Sequence, residues 1–173
     1  MLDACPAGVQ FSTYPCPDGN LGDPKRECHC TPYQIQKYRS KISGPLLDRI
    51  DIHIEVPSIA YRDLANKLEG TSSAEMRKQV IETRNIQTQR FENEKIMTNS
   101  RMNNRQIKKY CKLDESSESL LKQAIDELGL SARAYTRILK VARTIADIEN
   151  SIEIQVQHIS EAIQYRSLDR SII

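Results

Sequence analysis

Only one segment of this chain has the pattern of a β-strand, and that limits the folds that the chain can adopt. From residue 50 to residue 56, apolar and polar side chains alternate with a period of two, and Pro57 ends the run. This alternation would place His53 on the polar face of a sheet. A single strand cannot bury its own apolar face, so it needs partners. We expect these outside the chain, or in an irregular strand near residues 9–12.

The sequence after Tyr61 has the pattern of amphipathic helices joined by short links. We expect helices at 73–94, at 104–111, from 114, from 131 and around 156–163. Asp114 and Ser131 are predicted N-caps, and Gly129 suits a left-handed position at a helix end. One predicted buried face comprises Tyr135, Ile138, Ala142, Ile145 and Ile148. Helices of this kind form a small bundle.

The first third of the chain is predicted to be largely irregular. Residues 1–34 are rich in Pro, Gly, Asp and Cys. A short helix is expected at 32–40, with Thr31 as its N-cap and Pro32 at its first position. One further helical turn is expected at 46–49.

The charge balance, the lack of long apolar segments and the number of cysteines limit the classes to which this protein can belong. The 25 Lys and Arg residues against 23 Asp and Glu give a formal net charge of +2, so any basic surface must be local. No segment approaches the apolar length of a membrane span, and the first residues lack the pattern of a signal peptide. Five cysteines, an odd number, fit a reducing compartment. We therefore expect a cytoplasmic protein with no membrane partner.

Arg49 is the first candidate functional residue. It stands between a predicted helical turn and the alternating segment, which would hold its side chain in a fixed direction. A guanidinium group is permanently charged and can donate two hydrogen bonds to phosphate oxygens. These properties suit an arginine finger that acts on a nucleotide bound by a neighbouring subunit. The alternative is an ion pair with Asp48 or Asp51.

A basic stripe is predicted on the helix that begins after Ser131. Arg133, Arg137 and Lys140 have spacings of four and three, which place them on one helical face. One or two of them could reach a phosphate group. The alternative is a solvated face, which we favour for Lys140 and Arg143.

The cysteines near the start form a candidate metal site. A short loop separates Cys16 and Asp18 from Cys28 and Cys30. Thiolate and carboxylate groups at these positions could bind a zinc ion with tetrahedral geometry. Cys5, Asp18 or His29 would supply the fourth ligand. The alternative is a reduced loop without a metal ion.

Several catalytic motifs are missing from the sequence. It contains no Gly-x-x-x-x-Gly-Lys-Ser/Thr loop and no Gly-x-Ser-x-Gly or His-Glu-x-x-His motif. We therefore find no self-contained catalytic centre.

Five segments carry a resemblance to a known family: 22–30, 42–51, 109–114, 130–147 and 165–170. Together they resemble the Mg-chelatase-like AAA+ ATPases of the YifB/ComM family. The segment 22–30 is similar to a family loop that follows Asn-Pro-Cys-Pro-Cys-Gly, and the segment 42–51 to the arginine-finger block. The other three segments are similar to the family's C-terminal helical domain and its ending. Two positions differ: Tyr14 replaces an Asn at the sensor-1 position, and Asp18 replaces a Cys. Tyr has no amide with which to orient water, which argues against a sensor-1 role.

The resemblance implies a fold and roles for two arginines. Residues 1–60 would be an α/β remnant of an AAA+ core, and residues 61–173 an all-α lid bundle, so that the chain is mostly helical. Arg49 would be the arginine finger that acts in trans. Arg133 would be the sensor-2 arginine that reaches the nucleotide from the lid of the same subunit, with Arg137 as a weaker candidate.

The resemblance also implies partners. ATP with Mg²⁺ would be held mainly by residues upstream of this chain, in a homo-oligomeric ring, expected to be a hexamer. This chain alone would not hydrolyse ATP. The ring would remodel DNA, as in branch migration during competence, or act in a chelatase-like complex. The alternative is a non-enzymatic helical module that binds partner subunits or DNA.

Overall fold

A computed structural model of the chain describes residues 12–23, 25–47, 49–56 and 70–166. Seven α-helices are present in these ranges. They are α1 (Pro32–Arg39), α2 (Gly44–Leu47), α3 (Ser73–Arg90), α4 (Asn104–Tyr110), α5 (Glu115–Leu128), α6 (Ala132–Ile148) and α7 (Val156–Gln164). A short 3₁₀ helix, Asn99–Arg101, links α3 to α4. The prediction of a mostly helical chain is confirmed.

The helix starts follow from capping side chains. Thr31, Ser72 and Asn103 each form a reciprocal capping box with a Gln or Glu three residues later. Asp114 and Ser131 accept hydrogen bonds from the backbone N–H groups of Ser117 and Ala134 and so cap α5 and α6. Gly129 ends α5 in the left-handed conformation, with φ of 60°. The predicted caps at Thr31, Asp114, Gly129 and Ser131 are confirmed.

The helices from α3 to α7, residues 73–166, form one helical bundle. Helix α6 lies at its centre and packs against α3, α4, α7 and the 3₁₀ helix, while α5 packs against α7. The core contains buried apolar side chains from every part of the bundle, among them Phe91, Ile107, Leu121, Ile138, Ala142 and Ile159. Of the predicted buried face of α6, Ile138, Ala142 and Ile145 are buried, whereas Tyr135 and Ile148 are exposed.

Helix α3 ends four residues earlier than the sequence pattern predicts. Its last residue is Arg90, not Glu94, because Phe91 leaves the helical path and enters the core. The Phe91 ring packs edge-on against Tyr110, with ring centroids 5.3 Å apart. The turn that follows lets Glu94 accept hydrogen bonds from Gln106 and Tyr110.

The predicted strand at residues 50–56 does not form, and the α/β remnant is not confirmed. The part of the chain that the structure describes contains no β-strand, and residues 9–11 of the suggested partner lie outside it. Without a paired strand the segment is irregular, and its side chains are reversed relative to the prediction. His53 is buried, whereas Ile54 and Val56 are 67% and 84% exposed.

No helix within the described ranges is both long and apolar enough to cross a membrane. The predicted domain boundary between residues 60 and 61 lies outside the described residues and stays a prediction.

Candidate functional site

Arg49 is the second residue after the end of helix α2 and is exposed. Its backbone N–H donates a hydrogen bond to the carbonyl of Leu46, 3.0 Å away, which continues the helical turn. Its own carbonyl accepts a hydrogen bond from Nη1 of Arg137, 2.9 Å away. The side chain therefore extends from a backbone that is held at both its N–H and its carbonyl.

Arg137 joins the segment around Arg49 to the helical bundle. Besides the carbonyl of Arg49, its guanidinium group pairs with the carboxylate of Asp51. Both partners are 86 to 88 residues away along the chain. The structure thus gives Arg137 internal partners, and its direct contact with a phosphate group stays a prediction.

Two further contacts attach the same segment to the end of the bundle. Arg166 donates a hydrogen bond to the carbonyl of Ile50. The N–H of His53 donates to the carbonyl of Tyr165 at 2.8 Å. Residues 49–53 are therefore attached to α6 and to the end of α7 by polar groups. These contacts were not expected from the sequence, although Arg166 is in a block that carried the family resemblance.

Arg133 lies in the first turn of α6 and is exposed. It is four residues before Arg137, so both side chains leave the same face of the helix. The cap at Ser131 fixes the start of that turn. The structure therefore places Arg133 one helical turn from the residue that contacts Arg49.

The expectation of a solvated face was wrong for Arg143. This side chain is only 3% exposed, and its Nε donates to Asp147 at 3.1 Å. It also donates to the carbonyls of Ser151 and Ile152. Loss of hydration lowers its pKa, while the Asp147 carboxylate opposes that shift. Lys140 is partly buried and donates to the carbonyl of Ser100 at 2.9 Å.

Asp147 is at the centre of a buried polar network that sequence reasoning missed. Its carboxylate pairs with Arg90 and Arg143 and accepts a hydrogen bond from Asn99 at 2.8 Å. Asn99 also accepts from Arg90 and donates to Thr144. The spacing of four between Arg143 and Asp147 was the available signal, because it allows an ion pair along one helix.

Three thiols and one carboxylate form the cysteine cluster: Cys16, Asp18, Cys28 and Cys30. One potential ligand atom from each residue lies within 4.8 Å of all the others. The Cys16 thiol donates a hydrogen bond to Oδ1 of Asp18 at 2.8 Å, and the Cys28 thiol donates to the same oxygen at 3.4 Å. The structure thus brings together all four residues that the sequence suggested, whereas His29 is not part of the set.

The electrostatics of the cysteine cluster reflect its crowding. Hydrogen bonds from the Cys16 thiol and from the backbone of Asn20 and His29 hold the pKa of Asp18 well below its usual range. A hydrogen bond from the Cys30 backbone lowers the pKa of Cys28, but desolvation and hydrogen bonds with neighbouring thiols and with Asp18 together raise it to about 12. Desolvation and the Asp18 carboxylate also raise the pKa of Cys30.

Tyr14, for which the resemblance implies the sensor-1 position, is exposed and packs on Gly19. A Cβ atom added at Gly19 would lie 3.2 Å from the Tyr14 ring, and Gly19 has φ of +77°. Both observations favour glycine at this turn.

The donor groups of this chain fit the phosphate part of ATP better than they fit Mg²⁺. Arg49 and Arg133 donate hydrogen bonds and cannot ligate a cation. Within the described residues, the only set of potential metal ligands is the cysteine cluster, and its three thiols are softer than the oxygen ligands that Mg²⁺ prefers.

Comparison with known proteins places these features in one family. The family described as magnesium chelatase subunit ChlI matches residues 5–64, and its C-terminal family matches residues 70–166. Competence protein ComM of Haemophilus influenzae is 43% identical over 141 residues, which are 81% of this chain and 27% of the relative. Protein YifB of Salmonella typhimurium is 42% identical over 145 residues, 83% of this chain and 28% of the relative.

A more distant relative is protein Rv2897c of Mycobacterium tuberculosis, which is 27% identical over 166 residues. That alignment covers 94% of this chain and 32% of the relative. The chain therefore spans about a third or less of the length of the curated relatives that it matches. Because the two family regions together cover most of its residues, the chain belongs to the magnesium chelatase subunit ChlI family, of which residues 70–166 form the C-terminal region.

Proposed function

We propose that this chain is the arginine-finger and lid portion of a ring-forming Mg-chelatase-like AAA+ ATPase. In this proposal Arg49 is a catalytic residue that acts in trans on the γ-phosphate of a nucleotide bound by a neighbouring subunit. Arg133 is the sensor-2 arginine that contacts the nucleotide from the lid. Residues 1–60 belong to the ATPase core, and residues 61–173 form the lid.

The observation that carries the proposal is the contact between Arg137 and the backbone of Arg49. Through this contact and the ion pair with Asp51, the arginine-finger candidate is attached to α6. The same helix presents Arg133 one turn earlier. A change in lid position on nucleotide binding would therefore move the backbone that carries Arg49.

The proposed chemistry uses the guanidinium groups as phosphate donors. ATP hydrolysis develops negative charge on the γ-phosphate oxygens, and a fixed cation there lowers the barrier. An arginine finger accelerates such hydrolysis by roughly 10³- to 10⁵-fold. Arg49 is exposed and follows a helical turn, so it can reach a neighbouring molecule without local unfolding.

The phosphates and Mg²⁺ would be held by a segment outside this chain, so the chain alone would not hydrolyse ATP. We propose a hexameric, cytoplasmic ring that remodels DNA, as in branch migration during competence. Support for this role comes from the name of the relative Competence protein ComM. A chelatase-like complex is the other substrate class that the family name suggests.

A mixing experiment tests the catalytic role. The chain is combined with an N-terminal segment that carries a phosphate-binding loop of the same family, and ATP hydrolysis is measured. We expect activity only in the mixture. Arg49→Ala should lower kcat by about 10³-fold, within the range measured for arginine fingers.

Arg105→Ala is the matched control, because Arg105 is also exposed but lies on α4 and takes no part in the contacts of residues 49–53. It should leave kcat unchanged. Activity that survives Arg49→Ala, in a mixture that assembles normally, would contradict the proposal. Arg49→Lys separates charge from geometry, since lysine keeps the charge but loses the two-pronged donor.

A second candidate function is that of a non-enzymatic module that docks on partner subunits. The observation in its favour is the first half of α3, where residues 73–82 are all exposed, including Met76, Val80 and Ile81. In the mixing experiment, a passive module would bind the N-terminal segment without changing hydrolysis. The basic stripe is less suited to DNA, because Arg137 and Lys140 have internal partners.

A further inference from the structure

The cysteine cluster has the composition and size of a structural zinc site. It combines three thiols with one carboxylate, and both types of group are zinc ligands in proteins. The four residues come from two short stretches, Cys16–Asp18 and Cys28–Cys30, which fold against each other across an irregular loop. Four protein ligands are typical of a closed, structural site, whereas catalytic zinc sites keep one position open.

The spacing of the sulfur atoms fits tetrahedral coordination. Sγ of Cys16 and Sγ of Cys28 are 3.7 Å apart. Zinc–sulfur distances of about 2.3 Å place two sulfurs of a tetrahedron about 3.8 Å apart. A disulfide bond requires about 2.05 Å between sulfurs, so these two thiols are separate.

Backbone N–H groups around the cluster already orient its ligand atoms. Leu21 donates to Sγ of Cys16 at 3.3 Å, while Asn20 and His29 donate to the two carboxylate oxygens of Asp18 at 3.0 and 2.9 Å. The turn at Gly19 is closed by a hydrogen bond of 3.1 Å from its N–H to the carbonyl of Cys16. Such outer hydrogen bonds fix ligand direction at metal sites.

The segment that carries the cluster has almost no hydrophobic core. Among residues 12–23 and 25–31, Cys16 alone is buried. An irregular segment without a core gains little from the hydrophobic effect, and a metal ion can replace that contribution to folding.

We propose that Cys16, Asp18, Cys28 and Cys30 bind one Zn²⁺ ion that holds residues 16–30 in a folded loop next to α1. The loop is connected to α1 by a hydrogen bond from Nε of Arg39 to the carbonyl of Pro15, 3.2 Å long. The ion has a structural role, and its site is separate from the proposed nucleotide contacts at Arg49 and Arg133.

Metal binding to the whole chain tests this proposal. The chain is stripped of metal in the presence of a non-thiol reductant, dialysed against Zn²⁺ and assayed for zinc by mass spectrometry. We expect one zinc ion per chain. Co²⁺ should bind in its place with the strong visible absorption of a tetrahedral site and a thiolate-to-cobalt charge-transfer band.

Ligand variants identify the site. Loss of a hydrogen bond to a metal ligand typically lowers metal affinity by about 10- to 100-fold. Loss of a ligand should cost at least as much, so Cys28→Ser should lower zinc affinity by about 100-fold or more. Asp18→Asn should also weaken binding, whereas Asp18→Cys should strengthen it. Asp23→Asn is the matched control and should bind zinc like the parent chain, because Asp23 lies in the same loop but is not a member of the cysteine cluster.

The proposal would be overturned by a parent chain that binds no zinc or Co²⁺, or by a Cys28→Ser variant with unchanged affinity. Loss of binding in His29→Ala but not in Asp18→Asn would also refute this ligand set. Far-ultraviolet circular dichroism checks that each variant keeps its helical bundle, so that lost affinity reports on the site and not on unfolding.

Discussion

Different forces stabilise the helical bundle of residues 73–166 and the segment of residues 12–56. The bundle buries a continuous set of apolar side chains around α6. In the described part of residues 12–56, only Cys16 and His53 are buried. The bundle can therefore be stabilised by its own hydrophobic core, whereas the N-terminal segment depends on polar contacts to the bundle, on the proposed zinc ion and on partners.

Exposed apolar side chains in the N-terminal segment point to one such partner. Ile52, Ile54 and Val56 have the alternation of a strand but are all exposed. A strand needs neighbours to bury its face, and the described residues supply none. We expect this segment to pair with strands of the proposed ATPase core.

The largest loss of stability is expected from a substitution in the buried polar network around Asp147. Asp147→Asn removes the charge that pairs with Arg90 and Arg143, so it leaves two guanidinium groups without their carboxylate. Breaking a buried ion pair in this way costs about 3–5 kcal/mol. Urea unfolding followed by circular dichroism measures the loss, and a loss below about 1 kcal/mol would contradict the importance of the network.

A matched pair of isoleucines compares the two regions directly. Ile138 is 1% exposed in the bundle core, and Ile54 is 67% exposed in the N-terminal segment. Ile138→Ala should lower the free energy of unfolding by about 3 kcal/mol, within the range for buried isoleucines. Ile54→Ala should change it by less than about 0.5 kcal/mol. Equal losses in the two variants would remove the distinction between the regions.

Removal of a helix cap should cause a smaller loss of stability. Ser131→Ala removes the side chain that accepts the Ala134 N–H at 3.0 Å. Caps of this kind contribute about 1 kcal/mol, and the thermal midpoint should fall accordingly. Ser131→Asp keeps an acceptor and should retain the stability of the parent chain. A Ser131→Ala variant as stable as the parent would show that the cap does not fix the first turn of α6.

A small effect on stability is expected at the contact between the regions. Arg137→Ala removes a partly exposed ion pair with Asp51, so the free energy of unfolding should change by less than about 1 kcal/mol. Amide exchange in residues 50–53 should nevertheless become faster, because the segment loses its attachment to α6. Lys78→Ala, which removes an exposed pair with Glu82, is the control. Unchanged exchange in Arg137→Ala would show that this contact does not position Arg49.

Features that depend on residues close in sequence could be predicted, whereas features that depend on contacts across the fold could not. Caps such as Ser131 and Gly129 were found because capping depends on residues close in sequence. The four members of the cysteine cluster were found because they are within 15 positions of each other. The burial of Arg143 and the ion pair of Arg137 with Asp51 depend on contacts across the fold, which no local pattern contains.

His53 and the alternating segment show why a correct pattern can predict the wrong structure. The alternation predicts which side chains share a face but not what covers that face. Here His53 is buried and its backbone N–H bonds to Tyr165 at the end of the bundle, whereas Ile52 and Ile54 are exposed. Contacts with the rest of the fold therefore determine which side chains of residues 50–56 are buried.

The most direct measurement is a structure of the assembled ring with a non-hydrolysable ATP analogue. We expect the guanidinium group of Arg49 to lie about 3 Å from γ-phosphate oxygens bound by the adjacent subunit. We also expect Arg133 to contact a nucleotide from the lid. A ring in which Arg49 faces solvent, or pairs with a carboxylate of its own subunit while the nucleotide is bound, would contradict the central claim.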